Sequence, residues 1–147
     1  MNIRIWEAGR HMSFTERARM QAVFNTTARG FGAFFQDWDI ILTPITALPT
    51  PRVGTTEFLT ISDNPSVHDW FANLWRIFAY TPLANLCGIP GISLPLASHE
   101  NGLPLGIQAQ AAQAQDGLLL QLAAQIERAI DGKWNAGRRP GVHVTAS

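Results

Sequence analysis

The chain has 147 residues, the length of one domain, and its eleven basic residues balance eleven acidic ones. Because it has no net positive charge, we expect no nucleic-acid partner, since binding to phosphates requires a basic surface. The single cysteine excludes an intrachain disulfide and favours a cytoplasmic location, and no apolar run reaches the ~18 residues of a membrane span, so we expect no membrane partner.

The first predicted element is a long helix over residues 14–36. Ser13 and Glu16 have the spacing of a capping box, in which each residue hydrogen-bonds to the backbone of the other. Phe24, Phe31 and Phe35 follow at helical spacing and form one apolar stripe.

A strand and a helical region are predicted next. Residues 39–43 form a short, continuous apolar run that ends at Pro44, which is typical of a central strand covered on both faces. Apolar side chains at helical spacing predict helix over residues 68–87, with a kink or restart at Pro82 and an end at Gly88.

The last third of the chain predicts two paired strands and a final helix. Strands over residues 92–97 and 104–110 flank Asn101-Gly102, a strong hairpin signal because both positions tolerate positive φ. Apolar residues at helical spacing then predict a helix over residues 116–131. We therefore expect an α/β fold with a mixed sheet covered by helices.

The chain contains few candidates for chemistry. It has no Gly-x-Ser-x-Gly nucleophile elbow and no glycine-rich phosphate loop, and its four histidines are widely spaced. We therefore expect no metal and no cofactor. Cys87 stands near the predicted C-terminal end of a helix, where the helix dipole disfavours a thiolate, so we expect it to be a buried or pocket-lining side chain rather than a nucleophile.

Four segments, taken together, resemble the C-terminal part of the amidase signature family in order and spacing. They are Asp-Ile-Ile-Leu-Thr-Pro at 39–44, Asn-Leu-Cys-Gly-Ile-Pro at 85–90, Ile-Ser-Leu-Pro at 92–95 and Gly-Leu-Pro-Leu-Gly-Ile-Gln at 102–108. The likeness extends from about residue 16 to residue 140. Within the family, the chain is most similar to the bacterial amidases that include 6-aminohexanoate-cyclic-dimer hydrolases.

The resemblance implies hydrolysis of an amide through a Ser–cis-Ser–Lys triad, with the nucleophilic serine in a Gly/Ser-rich loop. This chain has no Gly-Ser-Ser sequence, and Lys133, its only lysine, follows the last predicted helix. No catalytic residue can therefore be assigned here. Residues 1–147 are expected to form a single partial domain, the C-terminal portion of an amidase, that is inactive alone.

The resemblance also implies a share of the substrate pocket. In the family, the loop after the Thr-Pro strand end and the helix before Asn-x-x-Gly line the acyl side of the cleft, so the candidate substrate-binding residues are Trp75, Phe78, Thr81 and Cys87. An acidic residue stands near the position of Phe78 in the tRNA-dependent amidotransferase branch. The aromatic ring here favours an apolar acyl group, although for Trp75 an ordinary place in the core is as good an interpretation.

Two hypotheses about partners stay open. The chain either joins the missing N-terminal part of the amidase, which together with it binds a small-molecule amide, or it is a non-catalytic binding or structural module. The module would be an obligate dimer with a second copy of itself. Both follow from the open sheet edge and the apolar helix faces that a partial domain exposes.

Overall fold

The computed structural model describes residues 2–51, 66–100 and 102–134, and these form an α/β structure, as expected. The prolines between residues 44 and 66 predict a long irregular loop, and most of it, residues 52–65, lies outside the described residues, as does the tail from residue 135. In chain order the elements are α1 (Asn2–Arg10), α2 (Phe14–Asp37), β1 (Ile40–Pro44), α3 (Val67–Ile77), α4 (Pro82–Cys87), β2 (Gly91–Ser98), β3 (Pro104–Ala111) and α5 (Asp116–Ala129). Only α1 was not predicted.

Helix α2 begins at the predicted capping box. The hydroxyl of Ser13 accepts a hydrogen bond from the Glu16 amide at 3.2 Å, and the Ser13 amide donates to the Glu16 carboxylate at 2.7 Å. Donation from the Ser13 hydroxyl and amide lowers the pKa of the Glu16 carboxyl. Although α2 has 24 residues, none of them is buried, so its stability within this chain depends on local interactions more than on packing.

The predicted helical region 68–87 forms two helices. Helix α3 is capped by Ser66, whose hydroxyl accepts from the Asp69 amide at 3.0 Å, and it ends at Phe78. Proline at the first position of α4 starts the second helix, as the Pro82 restart predicted. Gly88 ends that helix with φ of +65°, a conformation that glycine adopts without steric cost.

The three described strands form one sheet in the order β1-β3-β2. Thr43 and Ser93 lie on opposite sides of Gln108 in the pairing register. We expected a mixed sheet, but both hydrogen-bonded pairs of described strands are antiparallel. Strands β1 and β2 run in the same direction, but β3 lies between them, so they do not pair. We also expected β1 to be central, whereas among the described strands it is an edge.

The two faces of the sheet differ in character. On one face, Ala109 and Ala111 of β3 pack against Leu119 of α5, and partly buried neighbours surround them: Ile40, Ile92, Leu118 and Leu122. The other face carries the polar side chains of Thr43, Ser93, Gln108 and Gln110, because residues alternate between the faces of a strand. The buried apolar residues among those described are the cluster between α5 and the sheet, together with Ile77 and Leu94.

Candidate functional site

The loop after β1 is bound to the end of α3. The Ala47 amide donates a hydrogen bond to the Ile77 carbonyl at 2.8 Å, and the Ile77 side chain is buried. The two segments that the sequence assigned to the acyl side of a cleft are therefore in contact. Phe78, which caps α3, directly follows the residue that makes this hydrogen bond.

The four predicted pocket residues are distributed along the α3–α4 segment. Trp75 is exposed near the end of α3, while Phe78 and Thr81 are half-buried in the bend between the helices. Cys87 is the last residue of α4. At a rise of about 1.5 Å per residue, it lies roughly 9 Å along the helix from Thr81.

An open cleft of about 800 Å³ lies where α2 meets the end of α4 and the turn after β3. Cys87 lines this cleft, whereas Trp75, Phe78 and Thr81 do not. The lining comes from α2, from the segment around Gly88 and from the turn after β3: Asn25, Ala28, Arg29, Gly32, Phe35, Gln36, Cys87, Ile89, Ala112 and Gln113. The structure thus separates Cys87 from the other three candidates.

Burial raises the pKa of the Cys87 thiol. The cause is desolvation, which disfavours the charged thiolate. A thiol nucleophile needs the opposite shift. The environment of Cys87 therefore suits an uncharged side chain that lines a surface.

Sequence reasoning missed the polar face of the sheet. Gln110 is 1% exposed, and its side-chain nitrogen Nε2 is buried without a hydrogen-bond partner, as is the hydroxyl oxygen of Thr43. The register pairs Thr43 with Gln108, so Thr43 and Gln110 are diagonal neighbours on one face. The alternation of Gln108 and Gln110 within an apolar strand is the signal that could have revealed it.

Replacing Gln110 by methionine tests the cost of this unpaired amide. A buried donor without a partner costs about 1–3 kcal/mol, and methionine fills similar space without a donor, so Gln110→Met should raise the free energy of unfolding by roughly 1 kcal/mol. Urea denaturation of the chain measures the change. Gln108→Met is the control, because Gln108 is 6% exposed and has no buried, unpartnered nitrogen; an equal gain in both variants would contradict the explanation.

The described residues contain neither a cluster of metal ligands nor a helix suited to span a membrane. Within residues 2–51, 66–100 and 102–134, no three His, Cys, Asp or Glu side chains are grouped so that they could hold a metal ion. No helix in those ranges has both the length and the hydropathy needed to cross a membrane.

Comparison with known protein families gives a match to the Amidase family over residues 2–120. Among curated proteins, a putative amidase AmiC of Mycobacterium tuberculosis is 41% identical over 96 residues, which is 65% of this chain and 19% of that protein. The 6-aminohexanoate-cyclic-dimer hydrolase of Pseudomonas sp. (strain NK87) is 36% identical over 104 residues, which is 70% of this chain and 20% of that protein.

Solved structures give the same family. The structure of a 6-aminohexanoate cyclic dimer hydrolase complexed with substrate matches with a TM-score of 0.73 and 30% identity, over 89% of this chain and 27% of that one. A crystal structure of an amidase matches with a TM-score of 0.63 and 27% identity. The aligned segment covers about a fifth of the length of the curated relatives that the chain matches.

Proposed function

The chain belongs to the amidase family, and on that basis we propose that it is the C-terminal part of an amidase, an enzyme that hydrolyses the C–N bond of a carboxylic amide. The observation that carries the proposal is the likeness to the 6-aminohexanoate cyclic dimer hydrolase structure, which covers 89% of this chain but 27% of that one. A partial domain of this kind supplies sheet, helical cover and one wall of the substrate cleft.

The chemistry itself is assigned to the part of the enzyme outside this chain. The triad of the family needs two serines and a neutral lysine, and the sequence has no Gly-Ser-Ser segment. The only lysine, Lys133, is 70% exposed and its Nζ lies 3.4 Å from a carboxylate oxygen of Asp131. Lys133 is therefore engaged in an exposed ion pair with Asp131 rather than in a serine–lysine pair.

We assign Trp75, Phe78, Thr81 and Cys87 to the acyl side of the cleft. The hydrogen bond between Ala47 and Ile77 supports the assignment of Phe78 and Thr81, because it fixes the loop after β1 against the segment that carries them. Cys87, at the far end of α4, is assigned on the family resemblance alone. The aromatic rings and the uncharged thiol of this wall favour an apolar acyl group over a carboxylate-bearing one.

The surfaces that this chain leaves open support the proposal of a protein partner. Strand β1 is an edge of the described sheet, and Leu42 on it is 60% exposed. Phe34 stacks on Trp38 just before this strand, and both rings are exposed. An apolar edge strand beside exposed aromatic rings is a surface that a protein covers with another strand or chain. We propose the N-terminal part of the amidase as that partner and a cytoplasmic location for the assembly.

The test combines this chain with the part of the Pseudomonas 6-aminohexanoate-cyclic-dimer hydrolase that it does not match. Each piece alone and the two together are assayed for hydrolysis of the 6-aminohexanoate cyclic dimer and of a simple aryl amide. The pieces together should bind and turn over amide, while this chain alone should give the blank rate. Turnover by this chain alone, or no binding between the pieces, would overturn the proposal.

The alternative is a structural module that dimerises through the same open surfaces. Light scattering, which measures the mass of the particle in solution, distinguishes this module from the partial enzyme. A stable dimer of the isolated chain that fails to bind the hydrolase piece would favour the module. A chain that binds the hydrolase piece one to one favours the partial enzyme.

A further inference from the structure

We propose that the cleft between α2 and the turn after β3 receives a carboxylate-bearing segment of the complementary amidase part. This inference rests on the proposed function and adds the place and the chemistry of the contact. The cleft, of about 800 Å³, is of the size that accommodates several side chains or a short peptide. Its lining combines the apolar side chains of Phe35 and Ile89 with polar side chains such as that of Arg29.

Charge identifies the occupant. Arg29 lines the cleft, and its Nε donates to the Asn25 carbonyl at 3.3 Å, which leaves the two terminal nitrogens of the guanidinium available. In the described ranges, no carboxylate lies within ion-pair distance of this guanidinium. The other polar side chains of the cleft, Asn25, Gln36 and Gln113, are neutral amides. A guanidinium that carries the one charge among the side chains lining the cleft is complementary to a carboxylate, which it can bind in a bidentate manner.

The empty volume beside α2 also supports docking of a protein segment in the cleft. Gly32 lies on the cleft wall, and a Cβ built there would meet no atom within 4 Å. Helix α2, which supplies most of the lining, has no buried residue in this chain. The cleft is therefore an open groove along a helix that has no buried residue, rather than a closed pocket. The apolar amide substrate proposed above has no use for a cation, so the complementary protein part is the better occupant.

The cleft also adjoins the proposed acyl wall. Cys87 lies at the end of α4 and lines the cleft, so it is the residue at which the docking surface and the acyl wall meet. A segment docked beside Arg29 would close that end of the wall.

The experiment measures the Kd of the chain for the unmatched part of the Pseudomonas 6-aminohexanoate-cyclic-dimer hydrolase. Arg29→Ala should weaken binding roughly 10- to 100-fold, Arg29→Lys less, and the salt dependence of Kd should be flatter in the alanine variant. Arg17→Ala is the matched control, because Arg17 is exposed on the same helix outside the cleft. It should change Kd less than twofold.

A second variant tests the space independently of charge. Gly32→Leu fills the cleft and should weaken binding roughly tenfold or more, while Gly30→Leu puts the same side chain on α2 outside the cleft and should not. Leucine is a better helix former than glycine, so neither variant should unfold α2.

The outcomes separate this inference from the proposed function. Failure of the unaltered chain to bind overturns both. Normal binding by Arg29→Ala and Gly32→Leu, or equal losses in their controls, overturns the docking site alone. If these variants instead abolish a dimer of the isolated chain, the occupant is a second copy and the assignment to the amidase part is wrong.

Discussion

Leu119→Ala is expected to lower the free energy of unfolding of this chain by about 2–5 kcal/mol. Leu119 is 3% exposed and packs from α5 onto Ala109 and Ala111 of β3. The alanines opposite it are small and cannot move into the space that the leucine vacates, so a cavity would remain. The loss therefore includes both the transfer term and the cavity term.

The next residue provides a matched control. Leu120 is 64% exposed on the same helix, so Leu120→Ala removes the same atoms from a position in contact with water. It should change the free energy of unfolding by no more than about 0.5 kcal/mol. Urea denaturation followed by circular dichroism measures both variants. Equal changes at the two positions would mean that α5 does not pack on the sheet as described.

The sequence predicted local elements well because their signals are local. The capping box fixes the start of α2, and the proline and glycine around α4 fix its two ends. The hairpin between β2 and β3 follows from Asn101-Gly102: Gly102 has φ of +81°, and its amide donates to the His99 carbonyl at 2.8 Å. In each case, two or three neighbouring residues are enough to predict where the helix or turn begins or ends.

Features that depend on distant parts of the chain were not predictable. The apolar run at 39–43 predicts a strand covered on both faces, because its side chains are apolar. The run does not reveal which strands or helices lie beside it in the fold. Leu42 is exposed, on a strand that is an edge among the described residues. In the same way, helical periodicity located Thr81 and Cys87 on one segment but could not tell that only Cys87 lines the cleft with α2.

Gly106→Ala is the second variant with a large expected effect. A Cβ at this position of β3 would lie 2.8 Å from Cγ1 of Ile45 and 3.3 Å from the Ser93 hydroxyl. Cγ1 is close to the backbone of Ile45, and the Ile45 amide donates to the Gly106 carbonyl at 3.1 Å, so the neighbour cannot simply rotate away. We expect a loss of about 1–3 kcal/mol in the free energy of unfolding.

A double mutant identifies the cause of this loss. Ile45→Ala removes the obstructing atom, so adding Gly106→Ala to that background should cost much less than it does alone. Gly91→Ala in the neighbouring strand is the control, because a Cβ there would meet its nearest atoms at an ordinary 3.7 Å. A penalty that is equal in both backgrounds would contradict the steric explanation.

The same contact connects the sheet to the proposed acyl wall. Ile45 is fixed over Gly106, and two residues later Ala47 is bound to the end of α3, beside Phe78. If Ile45 is displaced, the strain passes along this short loop to the segment that carries Phe78 and Thr81. If the chain joins a complementary amidase part as proposed, Gly106→Ala should raise the KM of that assembly for an apolar amide even under conditions in which the variant stays folded, whereas Gly91→Ala should leave KM unchanged.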